Sequence, residues 1–267
     1  MGHSESILIA GVLLALAIAT TLFARRARVP GLVIFLLLGI LVGPEGFDIV
    51  HSISLDLAQT VGVVALALIL FEGGLAAGWK EIQPVLGVSL SLATIGTLLT
   101  AVITGLATAY FLDYSTLQAM LIGGIVASTD GAAVFALLRG STLKKRLART
   151  LEAEAGLNDP VAILLVIGFI DWIRVPNYGV TEMIQLFIEE MAIGAAIGVT
   201  VGLIAVRGIR AVGNVTSGLY PVATVATAAS AFGLAQMIHG SGFLAVYIAG
   251  LVLGSARIPA KRAISVY

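Results

Sequence analysis

The stretch "LEAEAGLNDPVAILLVIGFIDWI", Leu151–Ile173, decides how the rest of the chain is read. Its apolar run suits a bilayer-spanning helix, which needs about 20 mostly apolar residues. Yet Asp159 sits inside it, preceded by Asn158 and followed by Pro160. A second stretch, "VASTDGAAVF" (Val126–Phe135), places Asp130 in the same predicament. A charge at the centre of such a helix costs about 2.5–3.5 kcal/mol on insertion scales, so these residues normally face a partner or a water-filled cavity.

The composition agrees with a membrane setting. Of 267 residues, 59% are hydrophobic and only 11% charged, whereas a soluble domain carries about 25% charged residues. Nine apolar stretches are found: Ile7–Phe23, Leu32–Val42, Leu57–Leu75, Val85–Leu112, Leu117–Leu138, Leu151–Ile173, Met183–Val206, Tyr220–Ile238 and Gly242–Ser255. The second is short, with Pro30 and Pro44 flanking it. Runs of this length without period-two alternation are helices rather than barrel strands. The expected fold is therefore an all-α integral membrane protein with about nine transmembrane helices. A signal peptide has its basic residues before the apolar core; here Arg25, Arg26 and Arg28 follow it, as in a retained first span. With the N-terminus outside and the C-terminus inside, 14 of the 15 Lys and Arg fall in inner loops and only Arg174 falls outside, as the positive-inside rule requires. Small-xxx-small pairs at Gly39/Gly43, Gly194/Gly198/Gly202 and Gly250/Gly254 mark helix crossings.

Several chemistries are excluded or disfavoured. There is no cysteine, hence no disulfide or thiolate ligand, and His3, His51 and His239 are scattered. A net charge of zero gives no reason to expect nucleic acid. "GSGFLA" (Gly240–Ala245) fits a loose dinucleotide fingerprint, but it lies between two apolar runs and outside any βαβ unit, so it reads as a tight turn. "NVT" at Asn214 falls on the inner side and is discounted as a glycosylation acceptor. No G-x-x-x-x-G-K-[ST] phosphate-binding loop is present, so ATP-driven transport has no visible engine in this chain.

The fifth span runs inward and the sixth outward. Asp130 and Asp159 each lie eight residues from the joining loop, or about 12 Å deep at 1.5 Å per residue. The two carboxyls are expected at one level in neighbouring helices. A carboxyl out of water can carry a proton near neutral pH, and once deprotonated it is a hard oxygen ligand for a small cation. Ser128 and Thr129 before Asp130, and Gly131 after it, weaken the helix and predict a discontinuous fifth span, with Asn158 or Asp130 capping its ends. Pro160 cannot donate to the carbonyl of Gly156, which predicts an interruption in the sixth span as well. Glu72 and Glu154 lie near the inner ends of their spans, where a site role and an interfacial role are equally open. Glu152 reads as an interfacial charge, and the basic run Arg139–Arg149 as a topology signal.

"LFEGGL" (Leu70–Leu75), "ASTDGAAVF" (Ala127–Phe135) and "LEAEAGLNDP" (Leu151–Pro160), in this order and spacing, resemble the signatures of the monovalent cation:proton antiporter family, most closely its prokaryotic sodium- or potassium/proton members. The resemblance covers essentially the whole chain, as the N-terminal portion of such a protein. It implies an inverted-repeat fold and secondary active antiport of Na⁺ or K⁺ against H⁺ by alternating access. No cofactor is implied beyond the transported ions, and no nucleotide. The lipid bilayer and a second copy, forming a homodimer in the cell (inner) membrane, are the implied partners. Residues 85–173 would be the first half of a core bundle. Residues 7–75 and 183–255 would be mainly scaffold and dimerisation helices. Asp159 would be the main proton and cation carrier, Asn158 a brace between crossing helices, and Thr129 and Asp130 parts of the broken fifth helix, with Thr129 lending oxygen to the ion. Glu72 would be an accessory ligand. Glu154, Ser128 and Pro160 would support the site. An Asn-Asp pair implies electroneutral exchange, because an amide cannot carry a second titrating charge. Two departures stand out: Ala155 replaces a serine common in relatives, and relatives continue past the position of Tyr267, with an arginine expected to pair with Glu154.

Other classes fit less well. An intramembrane aspartyl protease also needs two membrane acids, but neither "ASTDG" nor "GLNDP" contains the Gly-x-Gly-Asp motif such enzymes share. A cation channel has no need of a titrating pair beside broken helices. A non-transporting fragment, scaffold or sensor derived from a transporter is the remaining alternative.

Overall fold

The computed structural model describes residues 8, 11–12, 14–20, 31–47, 54–129, 144–212 and 219–256, and every regular element among them is a helix. Contacts divide the chain into two units, Met1–Val61 and Gly62–Tyr267.

In the first unit, residues 14–20 are helical and α1 spans Gly31–Val42. Its twelve residues give about 18 Å, short of the roughly 30 Å hydrocarbon core. Pro44 cannot continue it, and the chain turns back, with Phe47 N donating to Leu41 O at 2.7 Å. The expected crossing at Gly39/Gly43 is not found among the described residues. A Cβ on Gly39 would meet nothing within 4 Å, and one on Gly43 would meet only carbonyls of its own helix. Small residues permit a crossing but do not create one.

The helix α2 (Leu55–Ala77) leads through Gly78 into the short α3 (Trp79–Ile82). Gly78 has φ +67°, in the left-handed region that glycine adopts without penalty. The next helix, α4 (Leu86–Leu112), carries one π-helical turn at Leu92–Gly96. There follow α5 (Thr116–Val126), α6 (Lys145–Arg174), α7 (Val180–Val212), α8 (Leu219–Met237) and α9 (Gly242–Ser255). Four of these helices, α2, α4, α6 and α7, are long and apolar enough to cross a bilayer.

Close backbone approaches organise the second unit. A Cβ on Gly123 of α5 would strike the Ala101 carbonyl of α4 and stand 2.8 Å from Gly105 N. On α9, Gly250 and Gly254 press against the backbone of α2 at Phe71 and Leu75, while Gly74 of α2 presses back on Tyr247 and Leu251. The stripe Gly194/Gly198/Gly202 of α7 lies against Ser241, Ala245 and Ala249. Both expected crossings, at Gly194–Gly202 and Gly250–Gly254, are thus present. They make α9 the hub of the unit: α7, α8, α6 and α3 all pack on it, and nearly all of its residues are buried. "GSGFLA" is a tight turn followed by this helix, as expected, with Ser241 Oγ accepting from Leu244 N at 3.3 Å.

The helix α6 departs from expectation twice. It begins at Lys145 rather than Leu151, and it runs unbroken through Pro160, so the predicted interruption of the sixth span is not found. A proline removes one hydrogen bond and crowds the preceding turn, but tight packing on neighbouring helices tolerates this within a membrane. Here Ala155, Gly156, Leu157, Asn158, Asp159 and Pro160 are all buried.

Candidate functional site

The extended α6 moves Asp159. It stands fourteen residues after Lys145 and fifteen before Arg174, the midpoint of the helix, rather than eight residues from its start. At 1.5 Å per residue this is about 21 Å from Lys145.

The partner segment is the end of α5. The helix stops at Val126, Ala127 is its C-cap, and Ser128 and Thr129 leave the helical path. Asp130, the second expected acid, lies outside the described residues, as does the rest of the expected fifth span to Leu138. The non-helical backbone turns two hydroxyls onto α6. Ser128 Oγ donates to Asp159 Oδ1. Asn158 Nδ2 donates to Thr129 Oγ1 and also, at 3.0 Å, to Glu154 Oε1 one turn earlier. Thr129 Oγ1 lies 3.4 Å from the same Glu154 oxygen. Asn158 is fully buried and Asp159 is 9% exposed. The Asn158 Oδ1 has no hydrogen-bond partner among the described residues. Thus Ser128, Thr129, Glu154, Asn158 and Asp159 are brought together, and Pro160, next in the chain, is fully buried. Glu72 lies on the exposed side of α2, between the buried Phe71 and Gly73. Ala155, where a hydroxyl was missing from the sequence pattern, is fully buried.

The arrangement holds an acid, a buried amide with a spare carbonyl oxygen, two hydroxyls and a second acid, drawn from the six residues Glu154–Asp159 of α6 and the two residues Ser128 and Thr129 just past the end of α5. Oxygen donors of this kind suit a hard cation. No group of three or more acids or histidines able to hold a resident metal occurs among the described residues.

Two features escaped the sequence reading. Ser89 Oγ of α4 donates to the Thr150 carbonyl of α6 at 3.0 Å in a buried setting, tying the start of the site helix to α4. An ion-pair network also holds that end: Lys145 Nζ lies 2.9 Å from Glu81, Arg149 Nε 3.4 Å from Glu81, and Arg149 Nη1 2.5 Å from Glu152. The bond from Lys145 holds the Glu81 carboxyl below its usual range, with the charge of Arg149 adding to it. Glu152 and two of the topology-setting cations are therefore structural partners. The pairing joins residues 64 apart, a distance at which no local sequence signal reports contact.

Comparison with known proteins follows the same outline. The family of transmembrane sodium/hydrogen exchangers matches residues 12–265. The K(+)/H(+) antiporter NhaP of Alkalimonas amylolytica is 36% identical over 256 residues, covering 95% of this chain and 44% of the relative. The K(+)/H(+) antiporter NhaP2 of Shewanella oneidensis is 34% identical, covering 96% and 45% respectively. The chain thus spans less than half the length of these relatives. Two structures of the sodium proton antiporter MjNhaP1 from Methanocaldococcus jannaschii share the fold. One aligns with a TM-score of 0.74 at 22% identity, covering 98% of this chain and 66% of that one. The other aligns at 0.79 and 23%, covering 99% and 66%. Bacterial relatives and several apolar helices make this a multi-pass protein of the cell (inner) membrane. With a matched region running from residue 12 to residue 265, the chain belongs to the sodium/hydrogen exchanger family, a family of secondary transporters rather than enzymes.

Proposed function

We propose that this chain carries the ion-binding site of a secondary antiporter that exchanges Na⁺ or K⁺ for H⁺ by alternating access. The observation that carries the reading is the Asp159 carboxyl at the midpoint of α6, beside a fully buried Asn158.

Asp159 is the exchanging group. Protonated, it is neutral and the site holds no cation. Deprotonated, it presents an oxygen ligand whose charge needs a cation nearby. The hydroxyl of Ser128, bonded to Asp159 Oδ1, steadies the carboxyl in one orientation. Thr129 lends a further oxygen, and the same reading assigns Asp130 to the broken fifth helix and makes Glu72, on the exposed side of α2, an accessory ligand. Asn158 braces the site through Thr129 and Glu154, and its amide adds no titrating charge, so one ion leaves for each proton and exchange is electroneutral. The exit of the chain from helical geometry at Ala127 supports a discontinuous fifth helix. Nine spans, an outside N-terminus, an inside C-terminus and a homodimer belong to the same reading, as does the division into a core at residues 85–173 and scaffold helices at 7–75 and 183–255. The names of the relatives favour K⁺ and those of the similar structures favour Na⁺; the oxygen set accepts either.

The test is pH-jump exchange in proteoliposomes made from the full-length protein. Asp159→Asn is expected to reduce exchange to the level of empty liposomes while the protein still elutes as a folded species. Exchange that survives the substitution would remove Asp159 from the mechanism.

A further inference from the structure

The hub helix α9 contributes one polar group to the neighbourhood of the site. Tyr247 is 1% exposed, and its hydroxyl has no hydrogen-bond partner among the described residues. Burying a hydroxyl in this way is costly, and a phenylalanine would fill the same space without that cost. The ring also has a particular seat. A Cβ on Gly156 would stand 2.9 Å from Tyr247 Cζ, the hydroxyl-bearing carbon, and 3.0 Å from Cδ2. The tyrosine therefore lies on the backbone of α6 at Gly156, two residues before Asn158 and three before Asp159.

Gly156 is also the residue whose carbonyl loses its helical donor, because Pro160 has no N–H to give. The ring that carries a buried donor without an acceptor is thus seated on the residue whose carbonyl is deprived of its donor. Neither is explained by packing alone, and buried polar groups of this kind are normally satisfied directly or by a bound water.

We propose that Tyr247 is a positioning residue for the ion site: its hydroxyl donates to the Gly156 carbonyl through one bridging water, and so fixes the turn of α6 that presents Asn158 and Asp159. The assignment rests on the antiport reading for its functional consequence, but not for its structural one. Tyr247 touches neither the cation nor the proton. It acts through the backbone of α6 from a helix outside residues 85–173.

Tyr247→Phe keeps the ring on Gly156 and removes only the hydroxyl. In the full-length protein in detergent, amide hydrogen exchange at residues 156–159 is expected to accelerate about 3–10-fold, with α7 and the rest of α9 unchanged, because a hydrogen bond is worth about 1 kcal/mol and each 1.4 kcal/mol is tenfold. In proteoliposomes the half-saturating K⁺ or Na⁺ concentration is expected to rise by a similar factor. Unchanged protection at 156–159 would overturn the proposal, as would a raised melting temperature, the signature of an orphan hydroxyl removed. Faster amide exchange with an unchanged half-saturating concentration would reduce Tyr247 to a structural contact and overturn its positioning role. Absence of cation exchange in the wild-type protein would count against the antiport reading alone, and amide exchange would still decide whether Tyr247 holds the turn.

Discussion

The helices α6 and α7 are nearly equal in length, 30 and 33 residues, and treat their side chains in opposite ways. The first buries Asn158 and Asp159, the most polar residues in its middle. The second buries glycines and leaves Ile184, Ile188, Leu203 and Ile204 exposed. In water this pattern would mark a misfolded chain. In lipid an exposed isoleucine costs nothing, association comes from close backbone packing and hydrogen bonds, and the expensive groups are the ones that must be enclosed. Hydrophobicity alone therefore does not decide which side of these two helices is buried: the membrane-depth polar pair of α6 and the glycines of α7 are enclosed, while large apolar side chains of α7 are not.

That contrast can be broken most forcefully at the glycine stripe. Gly198→Leu would drive a side chain into the Ala245 carbonyl and the Cβ of Ile248. It is expected to destabilise the protein by about 3 kcal/mol or more, read as a fall in detergent melting temperature. Ile204→Ala, on the exposed face of the same helix, is expected to stay within about 0.5 kcal/mol. Equal effects of the two changes would mean that α7 does not cross α9 through its glycines.

On α6 the corresponding change is Asn158→Ala. It strips a donor from both Thr129 and Glu154 and is expected to cost about 1–3 kcal/mol, with the loss of α5–α6 register visible as faster amide exchange at Ala127–Thr129. The smallest effect lies at the end of α6. Glu81→Gln weakens the pairs to Lys145 and Arg149 and is expected to lower the melting temperature by about 1–2 °C at pH 7. The bond from Lys145 lowers the folded-state pKa of Glu81. Its contribution is therefore complete above the unfolded value of about 4.3 and is lost as pH falls through the lower folded value. The difference between variant and wild type should close in acid and persist at neutral pH.

Much of this was legible in the sequence, for physical reasons. Apolar runs located the helices, and "LNDP" within one of them located the buried acid and amide, because polar residues in lipid have few tolerable explanations. The start of α6 was misread because Lys144–Arg149 resembles a loop when counted by hydropathy, although its basic side chains extend a helix and find Glu81 and Glu152. Pro160 was misread because its local preference is to interrupt, and packing on all sides overrode that preference. Tyr247 was invisible because a tyrosine in "FLAVYIAG" (Phe243–Gly250) looks like ordinary core. Only the opposed glycine, 91 positions away in the chain, shows where it rests.

The π turn at Leu92–Gly96 divides α4 into two independently phased rods. One rod meets α6 through Ser89, and the other meets α5 through Ala101 and Gly105. Each residue advances a helix by about 100°, so the single inserted residue of a π turn sets the azimuth of one rod against the other. Deleting Thr94 would restore a uniform spiral and force one of those two interfaces to face the wrong way. The irregular turn is thus the joint that lets one helix serve two differently oriented neighbours.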